Sequence, residues 1–208
     1  MKKIVFLIMV LMGCNGGADE FLPKIANNVG ELTSIHEKNF TTKEYGESGE
    51  TFVFVGGSRI YGLECNKYFS NKCITISTSG IRSSDLKVAY ELSKKYSPTK
   101  TIIHLGVGVS FESEKEIYDN LSRLFESSDC SKIYVTGAIP TVSLEETNAN
   151  INEKNTIIKQ ACEDYGAIFI NMQEMTESGA LMAAYSYDGL HYNNAGYDKF
   201  FEIMLDIL

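Results

Sequence analysis

Two short stretches at opposite ends of the chain hold the side chains best suited to chemistry. Gly56-Gly57-Ser58 directly follows the apolar run Phe52–Val55. Glycines let a backbone turn sharply and be approached closely, so this serine is left exposed at the end of a strand. A serine placed there becomes a nucleophile if a base reaches its hydroxyl. The same turn could instead bind phosphate, or the hydroxyl could cap the helix that follows. Near the other end, Tyr187-Asp188-Gly189-Leu190-His191 sets an acid three residues before a histidine. A short turn can bring both side chains to one side, where the carboxylate orients and stabilises the imidazole. The chain has three histidines. His36 lies in a polar N-terminal stretch and His104 inside an apolar run, and both read as ordinary polar residues. His191 differs in having an acid at fixed spacing, within a glycine-containing loop ahead of the last helix. Ser58, Asp188 and His191 are the side chains that could form a catalytic triad, with the phosphate-binding and capping readings of the serine turn still open.

Such side chains meet only if the fold brings the chain ends together. From Thr51 onward, short apolar runs alternate with longer helical patterns. The runs Phe52–Val55, Ile74–Ile76, Thr101–Leu105, Lys132–Thr136 and Ala167–Ile170 are rich in β-branched residues and lack alternating polar positions. This is the pattern of strands buried on both faces of a parallel sheet. Ile117, Leu121, Leu124 and Phe125 share one face of a helix. Ile151, Ile158, Cys162 and Tyr165 do so more loosely, ahead of a C-cap at Gly166. Tyr197, Phe200, Phe201, Met204 and Ile207 form a closing amphipathic helix after Asn193-Asn194. Strands alternating with helices predict an α/β, three-layer, doubly wound sandwich with a five-stranded parallel sheet, flavodoxin-like in outline. In such folds sites collect beyond the carboxyl ends of the strands.

Taken together, these features resemble the SGNH, or GDSL, hydrolase family over Thr51 to Leu208. The family opens with a strand and a Gly-Asp-Ser turn, matched by Gly56-Gly57-Ser58, and closes with Asp-x-x-His before the last helix, matched by Asp188-Gly189-Leu190-His191. The ending Asp188 to Tyr197 is the most specific element. Between them, a second strand leads into a glycine-bearing loop, here Ser79-Gly80-Ile81-Arg82. The resemblance implies Ser58 as nucleophile, His191 as base and Asp188 as its orienting acid. It implies the N–H groups of Ser58 and Gly80 as oxyanion donors, and no cofactor or metal.

Two departures from the family pattern stand out. Gly57 replaces the aspartate of the first motif. Gly106-Val107-Gly108-Val109 stands where the family has Gly-x-Asn-Asp, which removes a side-chain oxyanion donor. Losing one such donor lowers rates by about 10²–10³-fold. Ser110 is the nearby candidate substitute. The implied function is an esterase or deacylase acting on O-acyl esters of cell-envelope glycans or lipids. An O-acyltransferase on envelope polysaccharide and a catalytically weakened glycan-binding module are the alternatives. A nucleotide-binding domain is disfavoured, since the chain has neither a GxGxxG nor a P-loop lysine.

The chain has 208 residues, enough for one α/β domain with a sizeable core. Lys2 and Lys3 precede an apolar run from Ile4 to Met12, followed by Gly13 and Cys14. This is the pattern of a secretory signal, and a run of this length is too short to span a bilayer. Leu11-Met12-Gly13-Cys14 resembles a bacterial lipobox, whose cysteine becomes the acylated first residue. The expected organisation is a lipoprotein signal peptide over 1–13, a tether over 14–50, rich in Gly, Asn and polar residues, and the hydrolase-like domain over 51–208. Export would place the protein on the cell envelope, held to the membrane by the lipid on Cys14, in the periplasm or at the outer membrane of a double-membraned host. Cys65, Cys73, Cys130 and Cys162 would then lie in an oxidising compartment, with Cys65 and Cys73 close enough in sequence to bridge a short loop. No cysteine or histidine spacing fits a zinc site. The formal charge is -8, and loss of Lys2 and Lys3 would deepen it. This acidic balance argues against nucleic acid as a partner and leaves neutral esters as substrates.

Overall fold

The computed structural model describes residues 40–208. The expected signal peptide, Cys14, His36 and the first part of the expected tether lie outside the described residues. Six strands make the main sheet: β1 (Thr41–Tyr45), β2 (Thr51–Gly56), β3 (Lys72–Ser77), β4 (Lys100–His104), β5 (Ile133–Thr136) and β6 (Ile168–Ile170). Their order is β1-β3-β2-β4-β5-β6. The last five run parallel, as the apolar runs predict.

β1 corrects the expected tether boundary. Thr41 to Tyr45 pair antiparallel with Ser77 to Cys73, so the sheet has a sixth strand and the domain begins before Thr51. Thr-Thr-Lys-Glu-Tyr carries no apolar run because an edge strand has one side open to water, where charge also discourages pairing with other chains. Lys43 Nζ donates to the Tyr61 carbonyl at 2.7 Å and lies over the Tyr61 ring, while Tyr45 Oη donates to the Leu63 carbonyl at 3.0 Å.

Alternate residues of the strands feed two separate cores. Val53, Val55, Ile74, Ile76 and Ile103 pack on one face against α2 (Leu86–Lys94), α3 (Glu114–Phe125) and α4 (Glu145–Tyr165). Phe52, Phe54, Ile102 and Ile170 pack on the other against α1 (Ser58–Tyr61) and α5 (Asn194–Leu205). Both faces are thereby covered, which is why these strands read as continuous apolar runs. Ser113 and Glu116 close a capping box at the start of α3, and α4 ends at Gly166 in the left-handed region. A small hairpin, β7 (Thr176–Glu177) and β8 (Ala180–Leu181), completes the strands. Cys65 and Cys73 are joined by a buried disulfide that ties the segment after α1 to β3. Cys130 and Cys162 are free thiols. Burial, then the neighbouring Cys130 and Glu163, pushes the Cys162 thiol up to about 12, so it is inert.

In the order of the parallel strands, β3 lies on one side of β2 and β4 on the other. The chain therefore reverses direction across the sheet between β2 and β4, and ligands bind at such a switch point beyond the carboxyl ends. Gly56-Gly57-Ser58 and Leu105-Gly106 leave the sheet there.

Candidate active site

Ser58 is the first residue of α1, whose N-cap is Gly57, and no side chain caps this helix. The capping alternative for Ser58 is thus not realised. Its hydroxyl instead faces His191, with Oγ 3.0 Å from Nε2. On the far side of the ring, His191 Nδ1 lies 2.6 Å from Asp188 Oδ2.

The Asp188-His191 turn is built by the aspartate itself. Asp188 Oδ1 accepts the N–H of Leu190 at 2.9 Å and of His191 at 2.7 Å. Gly189 sits at φ +87, where a side chain would be strained. Outside the turn, Ser186 Oγ donates to the His191 carbonyl at 2.7 Å and accepts the Gly189 N–H at 2.8 Å. Burial alone would raise the Asp188 carboxyl. The hydrogen bonds from the His191 ring, the His191 N–H and the Leu190 N–H outweigh it and hold this group below its ordinary range. Asp188 is therefore an acceptor only, so Nδ1 carries the ring proton and Nε2 is free to accept the Ser58 proton. The imidazole is shielded, with 13% of its side chain exposed, while the Asp188 side chain is 38% exposed.

Two residues that the sequence did not single out hold these parts together. Arg59, next to Ser58, is buried. Its guanidinium donates to the carbonyls of Leu190 at 2.8 Å, Ile139 at 2.6 Å and Pro140 at 2.8 Å. One side chain thus joins the serine turn to the histidine loop and to the segment after β5. The only signal for it was an arginine embedded beside the candidate serine. Tyr192 lies under that guanidinium, 4.9 Å from ring centroid to Cζ. Its hydroxyl is 3.4 Å from His104 Nε2, and His104 Nδ1 is 2.6 Å from Thr136 Oγ1. Burial, then the Arg59 charge, pushes His104 down to about 3, so it stays neutral and structural.

Gly80 lies in the loop after β3 at φ +64, and a Cβ there would meet nothing within 4 Å. Ser110, the nearby candidate substitute for the missing donor, is engaged locally. Its hydroxyl donates to the Val107 carbonyl at 2.8 Å within its own turn. Among the described residues no cluster of His, Cys, Asp or Glu could hold a metal ion.

No protein-family model matches the sequence, and no curated protein matches it. Solved structures do. A lipase/acylhydrolase from Enterococcus faecalis is similar at 16% identity and TM-score 0.65, over 76% of this chain and 94% of that one. A catalytic mutant of an acetylxylan esterase from Geobacillus stearothermophilus is similar at 17% identity and TM-score 0.59, over 78% of this chain and 94% of that one. A Desulfitobacterium hafniense protein, described as lipolytic and of the G-D-S-L family, is similar at 11% identity and TM-score 0.63, over 77% of this chain and 100% of that one. At these identities the likeness is one of architecture, and by its architecture the chain takes its place in the GDSL, or SGNH, hydrolase fold.

Proposed function

We propose that this protein is a serine ester hydrolase that removes O-acyl groups from cell-envelope glycans or lipids. The observation that carries the reading is the unbroken relay from Ser58 Oγ through His191 to Asp188, at 3.0 Å and 2.6 Å. In this mechanism His191 Nε2 takes the Ser58 proton as Oγ attacks the ester carbonyl. Asp188 stabilises the imidazolium, and the N–H groups of Ser58 and Gly80 receive the developing oxyanion. His191 then returns the proton to the leaving alkoxide. Water, activated by the same imidazole, releases the acid from Ser58.

Two features favour a sugar-bearing substrate. A cleft of about 530 Å³ has no triad residue in its lining but reaches the site through Ile139 and Pro140, whose carbonyls Arg59 bonds. Asn152, Asn155, Asn171, Gln173 and Ser178 line the rest over Met172, with no charged residue. Amides and hydroxyls both donate and accept, which suits neutral polyhydroxy compounds. Tyr187 is 67% exposed, and its ring lies nearly parallel to that of His191, 5.9 Å away. An exposed aromatic face beside the base can stack on a sugar ring. The buried Cys65–Cys73 disulfide supports an oxidising compartment. With the basic, apolar and cysteine-ended N-terminus, it favours an exported lipoprotein anchored through Cys14.

The test is p-nitrophenyl acetate hydrolysis by the full chain and by Ser58→Ala, followed by acetylated oligosaccharides as substrates and unacylated ones as acceptors. Turnover that falls by at least about 10³-fold in Ser58→Ala is expected. Equal rates in the two proteins would sink the reading. Acyl groups passed to sugar hydroxyls rather than water would make the enzyme an O-acyltransferase with the same triad.

A further inference from the structure

The segment carrying Gly80 belongs to no helix or strand, yet it is gripped from three sides. A Cβ at Gly57, beside Ser58, would meet Ile81 Cγ2 at 3.3 Å and the Thr78 carbonyl oxygen at 3.8 Å. A Cβ at Gly108, in the turn after β4, would lie 2.4 Å from the Ile81 carbonyl oxygen and 3.4 Å from that of Gly80. The segment from Thr78 to Ile81 therefore packs between two glycines, with the Ile81 side chain and the Thr78 carbonyl toward Gly57 and the Gly80 and Ile81 carbonyls toward Gly108. Each is a glycine standing where a resembled motif has a larger side chain, Gly57 for its aspartate and Gly108 for its asparagine, so one glycine from each altered motif packs against the same loop.

The third grip is Glu112, at the end of the turn after β4. This buried carboxylate accepts the Ser83 N–H at 3.0 and 3.2 Å and the Ser83 hydroxyl at 2.5 Å. Asn120 Nδ2 adds a bond to Ser83 Oγ at 2.9 Å. Among the described residues no cation lies within ion-pair reach of Glu112. A buried carboxylate satisfied only by the amide and hydroxyl of one loop residue is an expensive way to gain stability. It is an effective way to fix where that loop sits.

We propose that Glu112 is a positioning residue of the oxyanion hole. By holding Ser83 it fixes the Gly80–Ile81 segment, so that a braced backbone N–H serves where a side-chain amide at position 108 has no room. The inference rests on the serine-hydrolase reading above. Oxyanion donors act on the transition state and not on bound substrate, so their displacement lowers kcat and leaves KM.

The experiment compares the full wild-type chain with Glu112→Gln and Ser83→Ala on p-nitrophenyl acetate. It also measures inhibition by phenylboronic acid, whose tetrahedral serine adduct places an oxygen in the hole. Glu112→Gln is expected to lower kcat by about 10–100-fold with KM changed by less than about twofold. The boronate Ki should rise in proportion, in protein shown to be folded by near-UV circular dichroism. Ser83→Ala, which keeps the N–H, should lose less, and it carries the test if Glu112→Gln does not fold. Unchanged kcat and Ki in a folded variant would overturn the inference, as would activity that merely tracks the folded fraction at constant Ki. Absence of Ser58-dependent turnover in the wild type would sink the hydrolase reading itself, and this inference with it. Wild-type turnover with indifferent variants would sink only the role of Glu112.

Discussion

Arg59, next to Ser58, and Glu112, which holds the loop after Gly80, are both buried ionisable side chains, and neither has an oppositely charged partner among the described residues. They differ in what satisfies them. Arg59 bonds carbonyls on two segments remote in sequence, at Ile139-Pro140 and Leu190, so the acid–base half of the site is tied into the body of the fold. Glu112 receives both its donors from Ser83, so the oxyanion half hangs on a single loop. The contrast teaches that the two halves should fail differently. Damage around Arg59 should show first as lost stability, and damage around Glu112 as lost rate in a folded protein.

The largest expected effect isolates the acid–base half. Asp188→Asn would set the wrong tautomer on His191, and kcat should fall by about 10⁴-fold while the melting temperature holds. A fall of less than tenfold would separate Asp188 from the chemistry. Next comes Arg59→Met, which strips a partner from three buried carbonyls and should destabilise the fold by about 3 kcal/mol in urea titrations. If it costs no more than Glu112→Gln, the proposed asymmetry is wrong. Gly108→Asn tests the other half. Although it installs the amide of the resembled motif, overpacking against the Ile81 carbonyl should cost about 1–3 kcal/mol. Its rate should drop, not rise. An increase in kcat would show that the loop yields easily and needs no bracing.

The smallest effect, taken per pH unit, is a stability slope on the Arg59 side. His104 takes no proton in the native state until pH falls to about 3, whereas the unfolded chain protonates near 6.5. Between those values the unfolded state binds more protons. Stability should therefore decline as pH falls, by up to about 1.4 kcal/mol per unit from this group. Urea midpoints at several pH values should show a shallower slope in His104→Gln. An identical slope would mean that His104 titrates normally.

The five parallel strands were legible because both their faces are buried, which leaves unbroken apolar runs. β1 was not, since Lys43 and Glu44 on an edge strand look like loop. α2 was equally quiet: its buried face uses Ala89 and Ser93 beside Leu86 and Tyr90, too few large apolar residues to mark a stripe. Ser58, Asp188 and His191 could be picked out because their chemistry resides in side-chain type and spacing. Arg59 and Glu112 could not, because their partners are mostly backbone groups that every residue carries, and only the fold selects which ones they meet. Ser110 shows the complementary limit: a hydroxyl has local carbonyls within reach, and only the fold selects that of Val107.

The edge strand β1 also sets how the domain would bear a load. The chain enters the sheet at Thr41, opposite Ser77 and so at the carboxyl ends of the parallel strands. The other terminus lies at the opposite end, where Lys100 at the start of β4 bonds the Leu208 carbonyl. A pull between the two ends therefore runs along the strands. It would load the five residue pairs of the β1–β3 ladder in shear, so that they resist together and do not peel apart one by one.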